Sequence, residues 1–224
     1  MYYAINFYLK VVPIVNFFGL IFFAIFTAII ILFSIFFHEL AHTIVSLHYG
    51  LNTKEIELNF LGGFTKLETE PITPKSEKHI ALAGPLLNIV IGAIILASFQ
   101  AFHLRIHNYF LASLFFAGVS NVAIGVFNLI PAYPLDGGRI LRAHFWSKSK
   151  DYQDATYLAY KISILIGYSF TFYAIYLFFI LEFVNALWIL LIGILIIYSA
   201  KYAYNNSSDK IIKKVYESKL KKPI

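Results

Sequence analysis

Long apolar stretches separated by short polar ones dominate this chain. They run from Val11 to Phe37 and on past a pair of histidines, then over Ile80 to Phe102, Tyr109 to Pro131, Ile162 to Leu181 and Phe183 to Tyr198. A helix rises about 1.5 Å per residue and needs about 20 apolar residues to cross a hydrocarbon core about 30 Å thick, so each of the last four stretches predicts one membrane-spanning helix. The first stretch, carried to Tyr49 with Gly50 as the expected helix end, would measure about 60 Å as a single helix, roughly twice the core. It is expected to break near Ala24 to Ala28, which brings the expected total to six spans. Two other segments follow the two-residue period of a half-buried strand. Ile56, Leu58 and Phe60 alternate with Glu55, Glu57 and Asn59, Gly62 and Gly63 supply a turn, and Phe64 to Glu70 returns, predicting a β-hairpin over 54–70. Tyr3, Ile5, Phe7 and Leu9 alternate likewise and predict an N-terminal strand that joins the hairpin in a small cytoplasmic-face sheet. The competing reading of these segments is a surface loop with chance alternation. The expected fold class is an all-α polytopic membrane protein with that small sheet, organised as one transmembrane domain over 1–203 and a basic tail over 204–224.

Composition agrees with burial in lipid. Of 224 residues 59% are hydrophobic and 13% charged, about half the roughly 25% charged share of a soluble chain. Met1 to Leu9 carry no positive charge ahead of the apolar run and no cleavage site follows, so the first apolar segments are expected to remain in the mature protein. The net charge of +6 does not point to nucleic acid, because the basic residues lie beside the apolar stretches. In a six-span topology with both ends cytoplasmic, every lysine and arginine except Arg105 falls on the cytoplasmic side, as the positive-inside tendency requires. After the last span, Ile211, Ile212, Val215, Tyr216 and Leu220 recur at helical spacing among lysines, a pattern suited to an anionic lipid surface or simply to a solvated basic end. The absence of cysteine removes disulfides and thiolate metal ligands, so any metal rests on nitrogen and oxygen.

The chemistry concentrates in His38-Glu39-Leu40-Ala41-His42. On a helix, residues four apart stand about 40° from each other around the axis, so two imidazoles can converge on one ion, with the intervening glutamate on the same face. The segment lies well inside an apolar span, where a glutamate is costly unless it faces protein or a water-filled cavity. The competing reading is a polar cluster that packs helices. A catalytic zinc takes three protein ligands and leaves a position for water. Of the twelve acidic residues, Glu39 and Asp136 alone fall outside predicted loops, tail and membrane boundaries. Asp136 is therefore the expected third ligand for one zinc ion per chain. It lies in a segment from Asn128 to Arg139 that two prolines and two glycines take out of regular helix. The alternative is a turn aspartate capping the following helix. Asn128 is a candidate donor to a substrate or an oxyanion. Asn88 and Asn121 are read as helix-packing residues. His48 faces away from the pair, and His79, His103, His107 and His144 fall at membrane edges.

His38 to His42 followed by Asn128 to Arg139 resembles the site-two protease family of intramembrane metalloproteases. Gly62-Gly63 and Ala83-Gly84-Pro85 extend the likeness over most of residues 1–200. Within the family the chain looks most like the compact branch that includes a sporulation protease acting on a membrane-tethered sigma-factor precursor. It departs from the common pattern at Ala41, where many members have glycine, and no PDZ or CBS domain is visible. The resemblance implies that His38, His42 and Asp136 bind zinc and that Glu39 is the catalytic acid/base. It also implies that a membrane-associated protein is cut in a prokaryotic cell membrane, with the hairpin edge holding an unwound substrate strand and other membrane proteins regulating the reaction. A divalent-metal transporter and an inactive membrane scaffold are the rival readings; the first needs a path of polar ligands along the spans.

Overall fold

The computed structural model describes residues 17–51, 53–59, 62–67, 73–102 and 109–220. In chain order they form α1 (Phe17–His48), β1 (Thr53–Asn59), β2 (Gly62–Leu67), α2 (Pro74–Phe102), α3 (Tyr109–Asn128), α4 (Asp136–Ser149), α5 (Tyr152–Phe179) and α6 (Phe183–Leu220). All but α4 among the helices are long and apolar enough to cross a membrane, giving five candidate spans among the described residues. The chain divides into two compact units, Met1–Glu70 with Leu82–Asn128, and Pro71–Ala81 with Leu129–Ile224.

In the first unit, α1 runs unbroken through Ala24 to Ala28, which corrects the expected division of the first stretch. The physical reason is local. No proline lies between Phe17 and His48, and in hydrocarbon a break would strand peptide groups that water cannot reach, so the backbone stays in helix. At 32 residues α1 is about 48 Å long, and a helix longer than the core is accommodated by tilting. It stops where the sequence predicts. Gly50 takes φ +71°, its N–H donates to the Leu47 carbonyl at 2.9 Å, and the Leu51 N–H donates to the Ser46 carbonyl at 3.0 Å. This is a Schellman cap, and its apolar member, Leu51, is buried.

After the cap, β1 and β2 pair antiparallel, with an irregularity between Thr53 and Glu55, and the hairpin lies against α1. Its register pairs Asn59 with Gly62 and Leu58 with Gly63. The two glycines are therefore strand residues and not the turn. A glycine in a strand is also compatible with close approach of another backbone, and the expectation of a turn overlooked that use. The N-terminal strand expected over residues 3–9 lies outside the described residues.

The packing inverts the pattern of a soluble protein. Ala, Ser, Thr and Asn fill the interior, whereas Phe33, Phe36, Leu165, Phe172 and Leu187 are among many large apolar side chains left exposed. Lipid supplies no hydrophobic drive between helices, so small residues that allow close backbones carry the contacts. A Cβ at Gly92 of α2 would lie 2.8 Å from the Gly118 carbonyl oxygen of α3, and one at Gly125 would lie 2.7 Å from that of Pro85. Phe23 of α1 meets Phe116 of α3 edge to face at 5.6 Å.

In the second unit, Gly167 and Gly193 bring α5 and α6 together in the same way. The α6 backbone continues without a break past residue 203 to Leu220. The Tyr133 N–H donates to Ser163 Oγ at 3.0 Å, tying the segment before α4 to α5, and the Tyr133-Pro134 peptide bond is cis. Glu77 is fully buried and pairs with Arg142 of α4, whose Nε donates to Oε1 at 2.8 Å. The Arg142 guanidinium also lies over the Tyr152 ring, 4.7 Å from its centroid. Burial disfavours the arginine cation, but Tyr133, Glu77 and Tyr152 outweigh burial and hold its pKa above the ordinary value. Removing one partner of a buried pair leaves a charge without compensation. Arg142→Met is therefore expected to destabilise the protein by about 3–5 kcal/mol in denaturant unfolding in micelles, and adding Glu77→Gln to recover much of the loss. Equal stability of the single and double variants would contradict this account of the pair.

Candidate metal centre

His38, Glu39 and His42 lie in the C-terminal third of α1, and all three are buried, at 5%, 6% and 4% exposure. Ser34, Thr43 and Ser46 extend the buried polar stripe, while Phe33, Phe36, Phe37, Ile44 and Leu47 form the exposed face. The stripe keeps its polar atoms satisfied within the helix. Ser46 Oγ donates to the His42 carbonyl at 2.7 Å, Thr43 Oγ1 to the Glu39 carbonyl at 3.0 Å, and Ser34 Oγ to the Ile30 carbonyl at 3.0 Å. The two imidazoles stand with ring centroids 4.7 Å apart and planes at 80°.

Two residues of α2 complete this half of the centre. A Cβ at Gly84 would fall 2.5 Å from Nε2 of His38 and 2.5 Å from Nε2 of His42. The two nitrogens thus converge on a notch that exists because residue 84 has no side chain, and zinc–imidazole distances of about 2.0–2.1 Å suit such a notch. One turn on, Asn88 places Oδ1 3.2 Å from His38 Nδ1. An amide oxygen can only accept, so Nδ1 carries the proton and Nε2 keeps its lone pair for a metal. The residues present therefore fit a divalent ion. Asn88, expected to pack helices, does join α2 to α1, and the group it meets there is a ring nitrogen of His38. The available signal was its spacing: Gly84 and Asn88 are four apart and share one helix face.

In the second unit, Asp136 is the first residue of α4 and is buried at 8% exposure. Leu135 occupies the N-cap and makes no side-chain cap bond, so Asp136 is not the capping aspartate of the alternative reading. Arg139 Nη1 stands 3.9 Å from Asp136 Oδ1. The two glycines that follow serve close approach. A Cβ at Gly137 would collide with the Ile130 carbonyl oxygen, and one at Gly138 would lie 2.7 Å from the Tyr133 nitrogen. The entering segment folds back over the first turn of α4, and any side chain there would push it off. Asn128 ends α3 half-buried, with Nδ2 donating to the Ile124 carbonyl at 3.0 Å. Asn121 is buried and bonds back to the Ala117 carbonyl, as a packing residue does. His48, His79 and His144 are exposed, and His103 and His107 lie outside the described residues.

Comparison with known proteins agrees with this arrangement. The model of Peptidase family M50 matches residues 26–105 and 104–172. A zinc metalloprotease of Methanocaldococcus jannaschii is 39% identical over 134 residues, which are 60% of this chain and 38% of that protein. Stage IV sporulation protein FB of Bacillus subtilis is 31% identical over 137 residues, 60% of this chain and 45% of that protein. The matched region thus spans less than half the length of either relative. Among solved structures, the site-2 protease from M. jannaschii superposes with a TM-score of 0.59 and 30% identity, covering 82% of this chain and 88% of that one. The matched residues include the histidine pair, Gly84, Asn88 and Asp136, and the chain belongs to peptidase family M50.

Proposed function

We propose that this chain is an intramembrane zinc metalloprotease that cuts a membrane-associated or transmembrane protein. The observation that carries the reading is the pair of buried imidazole nitrogens converging on the Gly84 notch, with His38 oriented by Asn88. Family membership and the names of the relatives as zinc metalloproteases support it. Asp136 is proposed as the third ligand. Its support is that it is buried at the first residue of α4, with Leu135 and not Asp136 at the N-cap position. A transporter would need further polar ligands along a path through the spans. A zinc ion held there would supply Lewis-acid polarisation of a scissile carbonyl and an acidified water. Glu39, between the two histidines on α1, would act as the base and acid that takes up a proton and returns it to the leaving amine. Asn128 Nδ2 carries two hydrogens, so it can keep its bond to the Ile124 carbonyl and donate the second to a substrate carbonyl.

The substrate must lose helix locally, since its peptide groups are otherwise engaged, and the edge of the β1–β2 hairpin can receive the extended segment as an added strand. A regulator tethered to a prokaryotic cell membrane, such as a sigma-factor precursor, is the proposed class, with other membrane proteins controlling access. The tail over 204–224 lies on the anionic cytoplasmic leaflet beyond the transmembrane domain over 1–203. The described spans keep the charge asymmetry. Counting five in place of six moves only Lys10 across the membrane and leaves the other basic residues apart from Arg105 on the cytoplasmic side with the C-terminus. Both ends are cytoplasmic only if the chain crosses once more before Phe17.

Glu39→Gln is expected to retain zinc, measured by atomic emission on the purified protein, and to lose cleavage of a tethered substrate by a factor of at least about 100. Loss of zinc together with cleavage would show Glu39 to be a ligand or a structural group. Asp136→Asn is expected to lower zinc content markedly, and unchanged content would remove Asp136 from the ligand set. For Asn88→Ala, competition with a chelator should report zinc affinity weaker by about 10–100-fold, the usual cost of losing a partner that orients a metal-binding histidine.

A further inference from the structure

A second polar feature lies in the unit that contains α4 and is independent of the protease chemistry. The start of α2 and the end of α4 enclose an open recess of about 410 Å³. Lys75, Lys78 and His79 line it from α2, and His144 and Lys150 from α4 and its C-cap. Thr73 and Ser147 add hydroxyls, and no carboxylate is among its lining residues. The two carboxylates nearest in sequence are engaged elsewhere. Glu77 points inward, fully buried on Arg142, and Asp151 caps α5 by accepting from the Asp154 N–H at 2.9 Å. None of Lys75, Lys78 and Lys150 forms an ion pair among the described residues. Three ammonium groups held around one concavity repel one another, and an anion seated among them removes that repulsion.

We propose that this recess binds the phosphate of an anionic phospholipid headgroup. Lysine ammonium groups with hydroxyl donors suit a phosphate oxygen shell. The position selects a lipid over a free anion. The candidate span of α2 begins at Pro74 and turns apolar at Ile80, immediately after His79, so the recess sits at the polar end of a membrane-crossing helix. Its other wall, α4, is a polar, non-spanning helix between two spans. Anionic headgroups are concentrated at that level, and each basic residue near the surface adds to their attraction.

The test uses the full-length protein in mild detergent, incubated with dioleoylphosphatidylglycerol, dioleoylphosphatidylcholine or inorganic phosphate, with bound molecules counted by native mass spectrometry. Retention of phosphatidylglycerol over phosphatidylcholine is expected. Combined Lys75→Gln, Lys78→Gln and Lys150→Gln should lower it by at least about tenfold, since each lysine contributes to headgroup attraction, whereas the matching Lys→Arg set should preserve it. Removing equal charge elsewhere, by Lys66→Gln, Lys161→Gln and Lys201→Gln, should leave retention within about twofold if the recess and not net charge is responsible. Zinc content checks that each variant is folded. Equal loss in the control set, or no preference for phosphatidylglycerol, overturns the site. Retention of inorganic phosphate without phosphatidylglycerol overturns the lipid source. Displacement of phosphatidylglycerol by polyglutamate at lower concentration than by any anionic lipid assigns the recess to an acidic protein segment and also overturns the proposal.

Discussion

The close approach of α2 to α1 at Gly84 is the contact on which the metal centre depends. In an apolar environment an unsatisfied imidazole is costly, so a histidine pair at depth needs a neighbouring surface that leaves space for an ion and supplies a partner for the second ring nitrogen. Gly84 supplies the space and Asn88 the partner, and their spacing places both on the face that meets His38 and His42. Pro85, between them, gives up one backbone donor inside the helix. Its carbonyl lies where Gly125 of α3 allows another close pass, so one short stretch of α2 is held against two neighbours by residues lacking bulk.

This division of labour explains what could be read from the sequence. His38, Glu39 and His42 were legible because helical geometry alone puts residues four apart on one face. Gly50 was legible as a stop because a left-handed cap favours glycine. The break expected at Ala24 to Ala28 was argued from length, but length does not interrupt a helix in lipid; only a donor-deficient or unusually flexible residue would, and none is there. Composition suggests a turn at Gly62-Gly63, whereas register decides where a hairpin reverses, and the pairing of Asn59 with Gly62 puts both glycines on the returning strand. Asn88 went unrecognised because its role requires knowing which face of α2 meets α1, and hydropathy does not encode the partner of a face.

Asp136 shows an intermediate case. Its residue type and unusual surroundings were visible, but the same letters also describe a helix cap. The distinction lies in the backbone: Leu135 takes the cap position, so the aspartate enters the first turn of α4 as a buried helical residue. Gly137 and Gly138 then act through the space they leave for the Leu129 to Tyr133 segment and not through unusual torsion angles.

The second unit separates two kinds of cation over a short distance in sequence. Arg142 is taken inside, where its planar fork can bond Glu77 and lie over the Tyr152 ring, and its charge persists despite burial. Lys75, Lys78 and Lys150 stay at the surface around an open recess. The two side chains differ in hydration and geometry: guanidinium is weakly hydrated and satisfies several acceptors from one plane, whereas ammonium is a strongly hydrated point charge. A lysine at position 142 could not reproduce both the fork and the ring contact, and an arginine is not needed where the partner is a mobile headgroup. The arrangement lets the polar end of α2 bury its own acid on Arg142 while presenting only positive charge outward, which is the condition an anionic membrane surface requires.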